Sequence, residues 1–338
     1  MTNGYPFLEK NFLISRPDRI GDVVLSTHLP VNIKAHFPES KVYMLLREYT
    51  RDIYVNNPYV DGIIIFDQKE GIFSLASKFR DLRITHALML LPNERINYAL
   101  ALAGVKYRIG SGFKPFHLIT NVKSVYRRGY DRELNEGQYC SDMLRKLGIP
   151  VNSEQSVIYL SDEEKKEVIK IRKELLGDCR TLTGVHYSSG GSAPNMPPEE
   201  YLLLAEHLKK MSSTKVVFTD NVSSDKIKEA GFTFINENLP LRKSILNFAA
   251  LDFLVSASTG TMHIAGALGV KTIGLFCPLP ACKPSLWGTL GNKARYILPD
   301  ESYCSRRCPG DPKKCDFAGE GGIDHVRVSN VLREELLS

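Results

Sequence analysis

Apolar residues fall along this chain in short runs closed by glycine, proline or polar turns, and longer stretches with helical spacing lie between them. Phe12-Leu13-Ile14 marks a first strand over Lys10–Ser15. A turn at Arg16–Asp22 then leads into a helix through Val23, Val24, Leu25 and Leu29. The pattern predicts further strands at Val42–Leu46, Gly62–Phe66, His86–Leu91 and Tyr107–Ile109, with helices near Tyr49–Val55, Phe73–Leu82 and Ile96–Leu102. A helix over Asp131–Leu147 closes at Gly148, with Pro150 beyond.

The second half repeats the rhythm. After a linker at Val151–Ser161 come a helix at Asp162–Leu176, a strand at Leu182–Tyr187 and a helix at Glu199–Met211. Strands at Lys215–Thr219, Phe232–Ile235, Phe253–Val255 and Lys271–Phe276 follow, with helices near Ser224–Ala230, Leu241–Ala250 and Met262–Leu268, and a closing helix at Val328–Leu337. Alternation of this kind predicts α/β domains built on parallel sheets, with ligands gathering at the carboxyl ends of strands. The expected division is 1–155 and 156–338.

Three turns fall at such strand ends: Arg16–Asp22, Ser188–Ser192 and Ser256–Thr261. The last leads into a helix made slim by Ala265, Gly266, Ala267 and Gly269. A turn there offers backbone N–H groups to an anion such as a diphosphate, with Gly260 permitting close approach. The plainer alternative is a βαβ unit with a polar turn.

Composition narrows the classes. The chain has 338 residues, 43% of them hydrophobic and 24% charged, which suits two folded domains and argues against disorder. Its net charge of +6 is not gathered into one basic run, so nucleic acid is not the expected partner and anionic small molecules or an acidic surface are. Glu9 and Lys10 interrupt the apolar N-terminus, no small-residue cleavage pattern follows, and no uncharged run is long enough to cross a bilayer. A cytoplasmic protein is expected, with its seven cysteines as free thiols or metal ligands. Ser111–Arg128 breaks the alternation and is basic, carrying Lys114, His117, Lys123, Arg127 and Arg128. It is either a solvated loop or a grip for an anionic acceptor.

Leu13–Pro30, Ser192–Leu204 and Leu254–Pro278 together resemble glycosyltransferase family 9, the bacterial ADP-heptose:lipopolysaccharide heptosyltransferases. Arg19-x-Gly21-Asp22 and Thr259-Gly260-x-Met262-His263-x-Ala265 are the most specific pieces. The resemblance implies a GT-B fold, two Rossmann-like parallel-sheet domains facing across a cleft, the first for the acceptor and the second for the nucleotide sugar. It also implies an inverting transfer without metal or other cofactor, from a nucleotide-sugar donor to a lipopolysaccharide core or other glycan. A lipid-linked acceptor would bring the enzyme to the inner face of the cytoplasmic membrane. The closing helix in such chains often returns to the first domain.

Carried over residue by residue, Asp22 is the general base, and Arg16, Arg19, Gly21 and Lys114 serve the acceptor. Ser188, Ser189, Gly190, Ser258, Thr259, Gly260, Thr261 and His263 serve the donor, with Asp225 as the match for a ribose-binding acid. Two alternatives stay open: Asp22 as a cap of the helix that follows it, and His263 as a histidine satisfied within the fold.

The chain departs from the family at two places. Ser258 stands where aspartate is common before Thr-Gly, and Ala193-Pro194-Asn195 stands where a lysine commonly precedes Trp-Pro. A sugar-hydroxyl acceptor and a fixed positive charge are thereby lost, with Arg16 or Arg19 as candidates to compensate. The alternatives are therefore a transferase with another donor and a binder of nucleotide sugar or glycan without transfer. A nicotinamide enzyme is disfavoured because no G-x-G-x-x-G follows either domain's first strand. Cys304, Cys308 and Cys315, with Cys277 and Cys282 before them, make a cluster without paired C-x2-C spacing. The choice there lies between free thiols and a structural metal completed by Cys282 or His325.

Overall fold

The computed structural model describes residues 10–126, 133–191, 193–211, 213–291 and 293–337. The chain divides into two units, Met1–Glu154 and Gln155–Ser338. In the first, strands β1 (Asn11–Ser15), β2 (Lys41–Leu46), β3 (Gly62–Ile65), β4 (His86–Met89), β5 (Tyr107–Ser111) and β6 (Lys123–Val125) form one parallel sheet in the order β3-β2-β1-β4-β5-β6. Every residue of β1 is buried, because helices cover both faces of a parallel sheet and an unbroken apolar strand is what that position needs. One face carries a core that includes Leu13, Leu45, Leu75, Phe79, Met89, Ile96 and Leu100. The order reverses between β1 and β4, the place where such sheets leave a crevice at their carboxyl edge. Arg16–Asp22 follows β1 there.

In the second unit, β7 (Thr181–His186), β8 (Thr214–Phe218), β9 (Phe253–Ala257), β10 (Lys271–Leu275) and β11 (Ala294–Ile297) are parallel in the order β11-β10-β9-β7-β8. The run expected as a strand at Phe232–Ile235 contributes a single parallel bridge, Phe218 to Phe234, on the outer side of β8. Counting it, the second sheet has the same strand order as the first. Its switch point lies between β7 and β9, so the turns after these two strands share one edge.

Two glycines set how closely this unit packs. A Cβ on Gly184 of β7 would stand 2.6 Å from Leu251 Cδ1, and one on Gly274 of β10 would stand 2.7 Å from the Phe276 ring and 2.9 Å from Met262 Sδ. The helix Gly260–Ala267 therefore rests against the bare backbone of β10. The last helix, His325–Leu337, packs on Pro198–Lys209 of its own unit. Val328 and Leu332 join Leu204 and Leu208 in the core, and Glu200 Oε2 takes the His325 backbone N–H at 2.9 Å and stands 2.7 Å from its Nδ1.

Other departures from the expected elements are local. The helix expected near Tyr49–Val55 is a 3-10 helix at Glu48–Ile53, and the long basic loop holds a short helix, Pro115–Ile119, and β6. The helix expected from Asp131 runs over Glu136–Lys146, and residues 127–132, with Arg127 and Arg128, lie outside the described ones. Among the described residues no helix is long and apolar enough to cross a membrane.

Candidate active site

At the carboxyl end of β1 the chain buries a cation. Arg16 is 1% exposed, its backbone N–H donates to Leu45 O at 3.0 Å, and its guanidinium is surrounded by acids. Its Nη2 donates at 2.9 Å to Asp22 Oδ1 and at 2.9 Å to Glu136 Oε1, its Nε donates to the Asp22 carbonyl at 3.2 Å, and Asp18 Oδ2 lies 3.8 Å from its Nη1. Glu136 is itself buried. It opens the helix Glu136–Lys146, whose start Asn135 and Gln138 fix as a capping box. An isolated buried charge is costly, and the ring of carboxylates is what permits this one.

One guanidinium among three carboxylates leaves the cluster acid-rich. Burial pushes the Asp22 carboxyl up to about 6 from its usual 3.8 against the pull of Arg16, and Asp18 and Glu136 push the same way. Among these charges Arg16 stays firmly protonated, above its usual value. Asp22 sits in the first turn of the helix Ile20–Val24, whose N-cap is Arg19 and has no side-chain cap bond. A first-turn acid still favours the helix dipole, so the alternative role of Asp22 at the helix start stays open beside its ion pair. The Asp22 side chain takes that ion pair from Arg16 and keeps 17% of its surface open. Arg16, expected to reach an acceptor or the donor phosphates, has its Nη2 on Asp22 and Glu136. Arg19 is exposed, Gly21 lies half-buried in the same helical turn, and Lys114 is exposed at the start of Pro115–Ile119.

In the second unit the turns after β7 and β9 build a different surface. Thr259 is the N-cap of Gly260–Ala267, yet its side chain makes no cap bond. Its hydroxyl instead lies 3.0 Å from Ser256 Oγ and 2.8 Å from Thr261 Oγ1. A row of hydroxyls thus stands beside a helix N-terminus, the arrangement that suits an anion. Ser258 is half-buried in this turn. One helical turn on, His263 is 4% exposed and its Nδ1 has no hydrogen-bond partner. Burial lowers it to about 4, so the ring is neutral near pH 7. The reading of His263 as a histidine satisfied within the fold thus leaves that nitrogen unaccounted for.

After β7, Gly190 and Gly191 have φ of 55° and 68°, the left-handed conformation that glycine adopts without strain. Ser188 N–H donates to Asp220 Oδ1 at 3.0 Å and Ser189 Oγ donates to Ala193 O at 3.3 Å, so part of this turn is closed by the protein itself. Ser192 lies outside the described residues. Asn195, in the stretch where the family's lysine is missing, bridges loops: its Nδ2 donates to Tyr187 O at 2.6 Å and its Oδ1 accepts from Tyr201 Oη.

Asp225 is exposed at the start of the five-residue helix Asp225–Glu229. The acid that meets the β7 turn is Asp220, two residues past β8, buried to 1% and holding the N–H groups of Tyr187 and Ser188. Its place at a strand's carboxyl end was the available signal. Glu136 had none, standing 120 residues from Arg16.

The described cysteines are all free thiols. Burial raises Cys277 to about 11, with Cys282, Cys304 and Cys315 near enough to add to the effect, and burial also raises Cys282 and Cys304. Such thiols stay protonated and unreactive. Among the described residues no group of three His, Cys, Asp or Glu side chains stands in position to hold a metal ion, Cys304, Cys308 and Cys315 included.

No family model matches the chain. Its sequence is similar to a putative glycosyltransferase of Haemophilus influenzae, 23% identical over 96% of this chain and 95% of that one. It is also similar to lipooligosaccharide heptosyltransferase 2 of the same organism, 24% identical over 85% and 88%. Among solved structures, a glycosyl transferase family 9 protein from Veillonella parvula superposes with a TM-score of 0.79, covering 97% of each chain at 18% identity. Fold and sequence similarity therefore meet in one description: two parallel-sheet α/β domains of the GT-B class, in a chain that resembles the heptosyltransferase-like glycosyltransferases of family 9.

Proposed function

We propose that this chain is an inverting, metal-independent glycosyltransferase that moves heptose or a related sugar from a nucleotide-diphosphate donor, ADP-heptose first among them, to a lipopolysaccharide core or similar anionic glycan. Residues 1–155 are proposed to hold the acceptor and 156–338 the donor. The observation that carries the reading is Asp22. It is a partly open carboxylate raised to about 6 by burial and held by a buried arginine, at the switch point of a parallel sheet.

Such a group suits a general base. At neutral pH it is mostly ionised, yet it binds a proton far better than an ordinary aspartate. As the acceptor oxygen attacks the anomeric carbon, its proton passes to Asp22, and the bond from that carbon to the diphosphate breaks on the opposite face. The nucleoside diphosphate leaves with the negative charge. In this reading the N–H groups at the start of Gly260–Ala267 and the hydroxyls of Thr259 and Thr261 take that charge, which their place at a helix N-terminus supports. His263 is neutral and its buried Nδ1 is without a hydrogen-bond partner, which leaves it free to serve the donor. Ser258 contributes a neutral hydroxyl where a carboxylate would have fixed a sugar hydroxyl, which loosens the demand on the donor sugar. With a lipid-linked acceptor the enzyme works in the cytoplasm at the membrane face.

Turnover with a panel of ADP-, GDP- and UDP-sugars and a truncated core acceptor tests this, with the anomeric configuration of the product read by NMR. Inverted product from an ADP-sugar without added metal is expected. Binding of a nucleotide sugar with no transfer to any acceptor would leave only the non-catalytic reading.

A further inference from the structure

The segment after β5 is fastened on one side and apolar on the other. In the short helix Pro115–Ile119, His117 is 2% exposed and its ring fills the space above Gly110, where a Cβ would come within 2.6 Å of it. Asn97 holds the same side, its Nδ2 donating to Thr120 Oγ1 at 2.8 Å and to Phe116 O at 3.2 Å. With that side pinned, three large apolar side chains are left in water: Phe113 at 74% exposed, Leu118 at 89% and Ile119 at 77%. Tyr126 is 44% exposed shortly beyond. Scattered exposed apolar residues are ordinary, but three within seven positions on an anchored turn are a patch.

The charges carried by the segment itself are of one sign. Lys114 and Lys123 are exposed within the same segment, and Arg127 and Arg128 follow in the sequence, with no acid from Ser111 to Arg128. Large apolar side chains fringed by lysine, with a tyrosine near them, match a bilayer interface, where the apolar groups enter the acyl boundary and the cations meet anionic headgroups. A protein partner of matching acidity would also fit the charge, but it would need an apolar pocket shaped to these three side chains, which a bilayer does not.

We propose that Phe113, Leu118 and Ile119, fringed by Lys114 and Lys123, form a membrane-contact patch that seats the first unit on an anionic lipid surface. It concerns where the protein sits and is read without donor or acceptor, so it stands or falls apart from glycosyl transfer.

Cosedimentation of the full chain with phosphatidylcholine vesicles, with and without phosphatidylglycerol, tests it. Wild type is expected to bind the anionic vesicles and to be released by salt. F113S/L118S/I119S should lower partitioning at least about ten-fold, since each apolar group contributes on insertion. K114E/K123E should lower it more than ten-fold, each lysine near an anionic surface being worth about five-fold. All altered residues are exposed, and unchanged melting of both variants would show the fold intact. Absence of binding to anionic vesicles, or equal binding by wild type and the apolar variant, would overturn the proposal. So would a concentration-dependent dimer that the apolar variant abolishes while lipid binding persists.

Discussion

Replacing Glu136 by glutamine isolates the electrostatics of the candidate base. Glu136 and Asp22 each accept from the same Arg16 nitrogen at 2.9 Å, so their carboxylates cannot stand far apart. Two charges about 5 Å apart at an effective permittivity of about 20 repel by about 3 kcal/mol, or about two pH units on a titrating group. Asp22 keeps 17% of its surface open, and solvent screening brings the expectation to about one unit. Glutamine keeps the size and one acceptor for Arg16, so the fold should persist. The Asp22 midpoint should then fall from about 6 toward 5, because Glu136's share of the upward push is gone and Arg16 is shared with fewer acids, while burial, the largest cause, still holds it above 3.8. A carbon-13 NMR titration of the aspartate carboxyls, with Asp22→Asn to assign the resonance, reads this without any substrate. If the base reading holds, the acidic limb of kcat/KM moves down in parallel. An unmoved midpoint, or one that rises, would refute the view that the neighbouring acids add to burial in raising the affinity of Asp22 for its proton.

Three other outcomes follow from the same structure. Gly274→Ala should cost about 1–3 kcal/mol, since the new methyl meets Phe276 and Met262 below 3 Å, and it should weaken donor binding by shifting Gly260–Ala267; thermal melting and calorimetry check both. Acidification should destabilise the fold: His28 and His263 are lowered to about 4, so between pH 6.5 and 4 the unfolded chain binds protons that the folded one refuses. Asp22, raised to about 6, opposes this by holding a proton in the fold that the unfolded chain releases. The net loss should be a few kcal/mol by urea titration, and stability that stays flat over that range would contradict it. Arg16→Gln should lower stability by about 3–5 kcal/mol, because it leaves buried Glu136 without its cation.

The two sheets are legible because their strands are buried on both faces, and runs such as Phe12-Leu13-Ile14 and Leu254-Val255 read as apolar without help. Two of the edge strands are not. Lys123–Val125 is three residues inside a basic stretch and Ala294–Ile297 alternates with exposed positions, so neither carries a signal above its surroundings. The turn residues of the candidate site are legible by their place after strands, and Asp22 and Thr259–Thr261 by resemblance. What the sequence hides is how they are held. Glu136 reads as an ordinary helix-start acid until the fold brings it to Arg16, and nothing in the sequence shows that Arg16 pairs with both Asp22 and Glu136. Spacing alone cannot tell Asp220, a buried strand-end acid, from Asp225 at the start of a short helix.

The claim that Asp22 takes the acceptor's proton is tested most directly by Asp22→Asn, comparing single-turnover transfer with donor affinity measured by calorimetry. Asparagine keeps the size and an acceptor for Arg16 but cannot accept the proton. Transfer is expected to fall by about 10²–10⁴-fold with donor affinity within a factor of about three. Transfer at the wild-type rate, or a loss of transfer matched by an equal loss of donor affinity, would contradict the account.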